Sequence, residues 1–127
     1  MDKDLNKIHA LMRQLFGLVH RLEDEAIKAS EFSDLSRAEI SAIMAIGTGR
    51  PKTMTHVANI LEINVSTLTT TINKLVKKGY VERLRDDKDR RIVKIGLSEK
   101  GIAAATERDS FMGELLRGAV EQVEPDK

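Results

Sequence analysis

Apolar residues recur at three- and four-residue spacing at Leu5, Ile8, Leu11, Met12, Leu15, Leu18, Val19 and Leu22, within a stretch holding no proline and one glycine. That period places them on one stripe of a helix over residues 5–29, about six to seven turns long. So long a helix is hard to bury along its whole length in a small domain. Part of the stripe is expected to pack against another chain.

A second helix is predicted to open at Ser36-Arg37-Ala38-Glu39, where Ser36 can accept from an early backbone N–H and Glu39 can reach back. Ile40, Ile43, Met44 and Ile46 form its apolar side, and Gly47 with Gly49-Arg50-Pro51 ends it. A short third helix follows, capped by Thr53 or Thr55 and carrying Val57, Ala58, Ile60 and Leu61. The turn Glu62-Ile63-Asn64 leads into a fourth helix over 65–78, closed by Gly79, where a left-handed residue is favoured. Short helix, tight turn, second helix is a helix-turn-helix. Ala58 is small where the two helices would cross, and Ile63 stands in the turn where a glycine is often found.

The fourth helix has two unlike faces. Leu68, Ile72, Leu75 and Val76 share one side; Ser66, Thr67, Thr70, Asn73, Lys74 and Lys77 lie largely on the other, with Thr69 between. Short polar groups near the N-terminus suit base edges, and lysines further along suit phosphates. Thr67, Thr69, Thr70 and Thr71 are poor helix formers, which a helix selected for stability alone would rarely accumulate. A merely solvated surface helix is the plainer alternative.

Residues 80–85 and 92–97 alternate in strand fashion around Asp86-Asp87-Lys88-Asp89-Arg90-Arg91. Six charged residues without an apolar anchor cannot pack on a core. A charged hairpin directly after such a helix reads as a wing, whose arginine can enter a narrow, electronegative minor groove. Asp89 is expected to form a local salt bridge that aims an arginine. After Ser98, a cap for a fifth helix, Met112, Leu115, Leu116, Ala119, Val120 and Val123 form an apolar stripe weakened by Gly113 and Gly118.

Composition narrows the classes. The chain has 127 residues, room for one compact domain, with 41% hydrophobic and 32% charged residues, a profile neither disordered nor membrane-spanning. It contains no cysteine, which excludes disulfides and thiolate metal sites and fits the cytoplasm. No signal peptide is evident. The formal net charge of +1 hides an asymmetry: residues 74–100 hold ten Lys/Arg against five Asp/Glu, between weakly acidic flanks. With 3% aromatics, the core must come from Ile, Leu, Val, Met and Ala.

The stretch Asp89-Arg90-Arg91-Ile92-Val93-Lys94-Ile95-Gly96-Leu97-Ser98-Glu99-Lys100-Gly101 resembles the wing signature of the MarR family, with Asp89, Arg91, Leu97, Ser98 and Gly101 at matching positions. Residues 75–83 resemble the end of that family's recognition helix. The resemblance covers about residues 5–124. It implies a mainly α fold with a small β-hairpin wing: a winged helix-turn-helix with long N- and C-terminal dimerisation helices. It also implies one MarR-type domain over 1–127, a DNA-binding core at 30–98, and dimerisation helices at 5–29 and 99–124. The family's final helix is expected to begin near Pro125-Asp126-Lys127, where the chain stops. The implied function is a homodimeric regulator, a repressor or an activator, with repression the first reading, on a palindromic double-stranded DNA operator, tuned by a small-molecule or acyl-carrier-protein effector. Phe32-Ser33-Asp34-Leu35-Ser36, Ile46-Gly47 and Val65-Ser66-Thr67-Leu68-Thr69-Thr70-Thr71 resemble the branch that represses fatty-acid synthesis genes with acyl-carrier protein as co-repressor. Arg13, Arg21 and Lys28 are then the candidate docking cations.

The expected DNA-contacting set is Thr53, Thr55, Ser66, Thr67, Thr69, Thr70, Asn73, Lys74, Lys77, Arg83, Arg85, Lys88, Asp89, Arg90 and Arg91. No cofactor is implied. His9 and His20 lie far apart on the first helix and His56 on the third, without ligand spacing, and Glu23, Asp24 and Glu25 read as a solvated face. No phosphate loop, nucleophile elbow or zinc motif occurs, so an enzyme is not expected. A winged helix that binds only protein is the alternative left open.

Overall fold

The computed structural model describes residues 2–123, with side chains through residue 118, in two compact units, Met1–Leu35 and Ser36–Lys127. The first unit is dominated by helix α1 (Asp2–Ala29). It starts three residues before the apolar stripe, because Asp2 and Asp4 complement the positive end of the helix dipole and Lys28 the negative end. Ser30 ends it, its hydroxyl donating to the Ile27 carbonyl at 2.8 Å and accepting from the Phe32 N–H at 3.1 Å. Leu5, Ile8, Leu11, Met12, Leu15, Phe16 and Leu18 are each between 45% and 64% exposed. Within its own unit, among the described residues, this stripe is left facing solvent.

The second unit runs α2 (Arg37–Ile46), β1 (Lys52–Thr53), α3 (Met54–Leu61), α4 (Val65–Lys78), β2 (Val81–Arg85), β3 (Val93–Leu97) and α5 (Glu99–Val123). The capping box forms as expected: the Glu39 N–H donates to Ser36 Oγ at 3.2 Å, and the Ser36 N–H donates to Glu39 Oε1 at 2.8 Å. Thr53, not Thr55, caps α3, accepting from the His56 N–H at 3.2 Å. Asn64 caps α4, accepting from the Thr67 N–H at 2.7 Å. The left-handed residue of the turn between α3 and α4 is Glu62 (φ 57°, ψ 41°) rather than Ile63. Its N–H and that of Ile63 must turn back to the Asn59 and Ala58 carbonyls, and the αL geometry permits this without a glycine.

The sheet has three antiparallel strands, ordered β1-β3-β2, where the alternation had predicted a two-stranded hairpin. Lys52 faces Ile95 and Thr53 faces Lys94, while Val81 to Arg85 face Leu97 to Val93. Two residues after Pro51 carry no strand pattern of their own; β3 supplies their partners. Tyr80 and Ile92 lie just outside the strands. Ile43, Ile46, Val57, Leu68, Ile72, Leu75 and Ile95 are fully buried among α2, α3, α4 and the sheet. Each such side chain contributes roughly 1.5–3 kcal/mol by leaving water. Ala58 is buried where α3 meets α4. The largest fully buried side chain is Tyr80, an exception to the aliphatic core expected from composition.

A junction after α4 ties three elements together. Gly79 takes φ 89° and closes α4. Ser98 donates from its N–H to the Tyr80 carbonyl at 3.0 Å and from Oγ to the Gly79 carbonyl at 2.6 Å, while accepting from the Gly101 N–H at 3.2 Å. A β-carbon built on Gly101 would collide with the Tyr80 carbonyl oxygen and lie 3.1 and 3.2 Å from the Leu97 side chain. Glycine is therefore required by close approach, not by a special φ. Lys100 sits over the Tyr80 ring at 4.4 Å and donates to the Lys78 carbonyl at 3.3 Å. On α5, Met112 and Leu115 are half-buried and Leu116 is exposed. Ala119, Val120 and Val123 of the expected stripe lie outside the described side chains, and Pro125-Asp126-Lys127 outside the described residues. Among the described residues no helix is long and apolar enough to cross a membrane.

Candidate nucleic-acid interface

The outer face of α4 is solvent-facing: Ser66, Thr67, Thr69, Thr70, Asn73, Lys74 and Lys77 are all exposed, opposite buried Leu68, Ile72 and Leu75. Three threonine hydroxyls of the helix turn back to its own backbone, however. Thr69 Oγ1 donates to the Val65 carbonyl at 2.8 Å and Thr70 Oγ1 to the Ser66 carbonyl at 3.4 Å; half-buried Thr71 reaches the Thr67 carbonyl at 3.5 Å. Back-bonding of this kind lets threonine sit in a helix. Thr69 and Thr70 then turn hydroxyl lone pairs and methyl groups outward.

Asn73 is the second adjustment. Its Oδ1 accepts a hydrogen bond from Arg83 Nη2 on β2, joining the exposed face of α4 to the first wing strand. Arg85 is likewise engaged, donating from Nη1 to the Arg90 carbonyl at 2.8 Å across the mouth of the tip.

The wing tip is held by its own carboxylates. Asp86 Oδ2 accepts from the N–H groups of Lys88 (3.2 Å) and Asp89 (3.0 Å), and Asp86 Oδ1 pairs with Lys94 at 3.3 Å. The Asp86 N–H and Ile92 carbonyl close the hairpin at 3.0 Å. Asp89 grips Arg91 bidentately, with Nε and Nη2 each 3.0 Å from a carboxylate oxygen, and also accepts the Arg91 N–H at 3.0 Å. The local salt bridge read from the sequence is thus present. The Asp89 N–H bond and the Lys94 side chain hold the Asp86 carboxyl below the ordinary carboxylate range; the Arg91 guanidinium does the same for Asp89, and Asp89 raises Arg91 in return. Lys88, Arg90 and Arg91 remain exposed. The tip has no core packing, as expected, but it is internally ordered.

Thr53 is half-buried and occupied as a cap, while Thr55 is exposed on the first turn of α3. Beside them is a shallow basic cleft lined by Arg50, Pro51, Lys52, Thr53, His56 and Lys94. Sequence reasoning omitted Arg50, His56 and Lys94 from the site, because β1, which brings their segments together, leaves no trace in the residue pattern. Lys52 is partly spoken for, donating to the Ile46 carbonyl at the end of α2. Behind α4, Lys78 pairs at 2.8 Å with buried Glu39 and so ties the end of α4 to the start of α2. Among the described residues no group of three or more His, Asp or Glu is placed to hold a metal ion.

Helices α2 to α4, the three-stranded sheet and the ordered hairpin tip define a winged helix-turn-helix. A family model described as MarR family matches residues 33–92. The HTH-type transcriptional regulator SarZ of Staphylococcus saprophyticus is 34% identical over 100 residues, covering 75% of this chain and 68% of that protein. The HTH-type regulator YpoP of Bacillus subtilis is 31% identical over 94 residues, covering 74% of this chain and 64% of YpoP, so the match spans just under two thirds of that relative. Among solved structures, Streptococcus pneumoniae FabT in complex with DNA superposes with a TM-score of 0.87 at 29% identity, over 91% of this chain and 81% of that one. The chain belongs to the MarR family of helix-turn-helix transcriptional regulators, a family of regulators and not of enzymes.

Proposed function

We propose that this chain is a sequence-specific double-stranded DNA-binding repressor, acting in the cytoplasm as a homodimer on a palindromic operator. The observation that carries the reading is the continuity of α4 and the wing. The exposed polar face of α4 is bonded to β2 through Asn73 and Arg83, and β2 leads to a tip that displays Lys88, Arg90 and Arg91. Small polar groups on a solvent-facing helix suit a major groove, and the cations beside it suit phosphates or a minor groove. The likeness to FabT, solved with DNA, supports the same use. Residues 30–98 then form the DNA-binding core.

Dimerisation rests on the uncovered stripe of α1, too apolar and too continuous to be left in water. Residues 5–29 and 99–124 supply the dimerisation helices. The finer assignment is to fatty-acid synthesis genes with an acyl-carrier protein as effector, a small molecule being the other effector class. It rests on the resemblance at residues 32–36, 46–47 and 65–71 and on the FabT likeness. Arg13, Arg21 and Lys28, all exposed, are the cations that would meet an acidic carrier.

Selection of bound duplexes from a random pool, with and without acylated carrier protein, tests operator, half-site spacing and effector together. Replacing Arg90 and Arg91 by alanine should weaken binding and lower the salt slope by up to about 2. Unchanged affinity and slope would instead favour a winged helix that binds protein alone.

A further inference from the structure

We infer that Asn73 is not itself a base reader but a positioning residue that holds Arg83 for contact with guanine. The inference rests on the DNA-binding reading above and assigns separate roles within it. Asn73 and Arg83 are ten residues apart, on α4 and β2, and both are exposed. Guanidinium offers only donors, so the Asn73 atom facing it must be the carbonyl oxygen, which removes any ambiguity in the amide orientation.

Two-point recognition of adenine requires an asparagine to offer Oδ1 and Nδ2 together to one base edge. Here Oδ1 is turned to Arg83, and the hydrogen bond is charge-assisted, hence stronger than one between neutral groups. Arg83 uses Nη2 in this bond and keeps Nη1 and Nε as further donors. A guanidinium fixed at one edge has lost part of the rotamer freedom that an exposed arginine must otherwise give up on binding. Its natural target is the paired O6 and N7 acceptors of guanine. The neighbouring threonines sharpen the division: with their hydroxyl hydrogens committed to the helix backbone, they present acceptors and methyls.

The test compares wild type, Asn73→Ala, Asn73→Asp, Arg83→Ala and the double variant Asn73→Ala/Arg83→Ala in two measurements. The first follows the guanidinium NMR signals of Arg83 in the free protein. They should be slowed in wild type and Asn73→Asp and released in Asn73→Ala; equal behaviour in all three overturns the inference whether or not the protein binds DNA. The second is bound-site selection. Asn73→Ala, Arg83→Ala and the double variant should all lose preference for guanine at the same base pair, by at least about fivefold and without adding. Asn73→Asp, which keeps the acceptor and discards the amide donors, should retain it. Loss of an adenine preference in Asn73→Asp, or additive losses at two different base pairs, would show Asn73 reading a base directly. If wild type fails to retain any duplex, the DNA-binding reading fails, and with it the guanine contact.

Discussion

Replacing Gly101 by alanine sets two effects of opposite sign against each other. Gly101 lies in the first turn of α5, where alanine is intrinsically favoured over glycine by about 1 kcal/mol. On propensity alone the variant should be more stable. The added methyl, however, would stand on the Tyr80 carbonyl oxygen and against the Leu97 side chain at 3.1 and 3.2 Å. Relief requires α5 to withdraw from the loop after α4. That movement stretches the two bonds from Ser98 to the Tyr80 and Gly79 carbonyls, at 3.0 and 2.6 Å, each contributing about 1 kcal/mol net. Overpacking adds roughly 1–3 kcal/mol. The losses outweigh the propensity gain, for a net destabilisation of about 2–4 kcal/mol. Urea unfolding followed by circular dichroism, at one fixed protein concentration, measures it. Gly113→Ala is the internal control: it lies in the same helix, a β-carbon there meets nothing within 4 Å, and it should stabilise by about 0.5–1 kcal/mol. If Gly101→Ala matched Gly113→Ala, the close approach would be no constraint and the reasoning would fail.

Three further outcomes follow from the same geometry. Burial pushes the Glu39 carboxyl up, but hydrogen bonds and charge from Lys78 and Ser36 outweigh it and hold it below the ordinary value of 4.5. Its contribution is therefore full above that unfolded value and lost as pH falls through the lower folded one. Glu39→Gln should cost about 1–2 kcal/mol at pH 7 and flatten this part of the acid unfolding curve; identical curves would refute the assignment. If the proposed homodimer forms through the α1 stripe, Leu15→Lys should shift sedimentation towards monomer while the far-ultraviolet spectrum stays helical; unchanged sedimentation would remove α1 from the interface. Thr53→Ala should lower stability by about 1 kcal/mol through loss of the α3 cap, measurable in urea, whereas Thr55→Ala should not.

Much of the helical scaffold was legible where apolar period agreed with an end signal. Ser36 with Glu39 and Gly79 after Lys78 coincide with changes in apolar spacing, whereas Asn64 reads in the sequence only as part of a turn and in the structure is the cap of α4. Family membership was legible in the spacing from Asp89 to Gly101, and the basis for Gly101 is now visible as a backbone contact. What the residues concealed is what depends on partners distant in the chain. Lys52 and Thr53 become a strand only because β3 lies alongside. Glu62 takes the left-handed position because carbonyls of α3 await its N–H and that of Ile63, a demand no residue type advertises. The threonine-rich face was found by composition, but where its hydroxyl hydrogens go depends on rotamers. The Asn73–Arg83 bond needs β2 to be laid against α4, which periodicity within either element cannot convey.

The junction after α4 has a mechanical consequence. Gly79, Tyr80, Ser98 and Lys100 bind the last turn of α4, the root of the wing and the first turn of α5 through short bonds to adjacent carbonyls. With Gly101 packed against the same carbonyl, a shift of the first turn of α5 would be passed through these bonds to the end of α4 and the root of the wing, so the three elements share one joint.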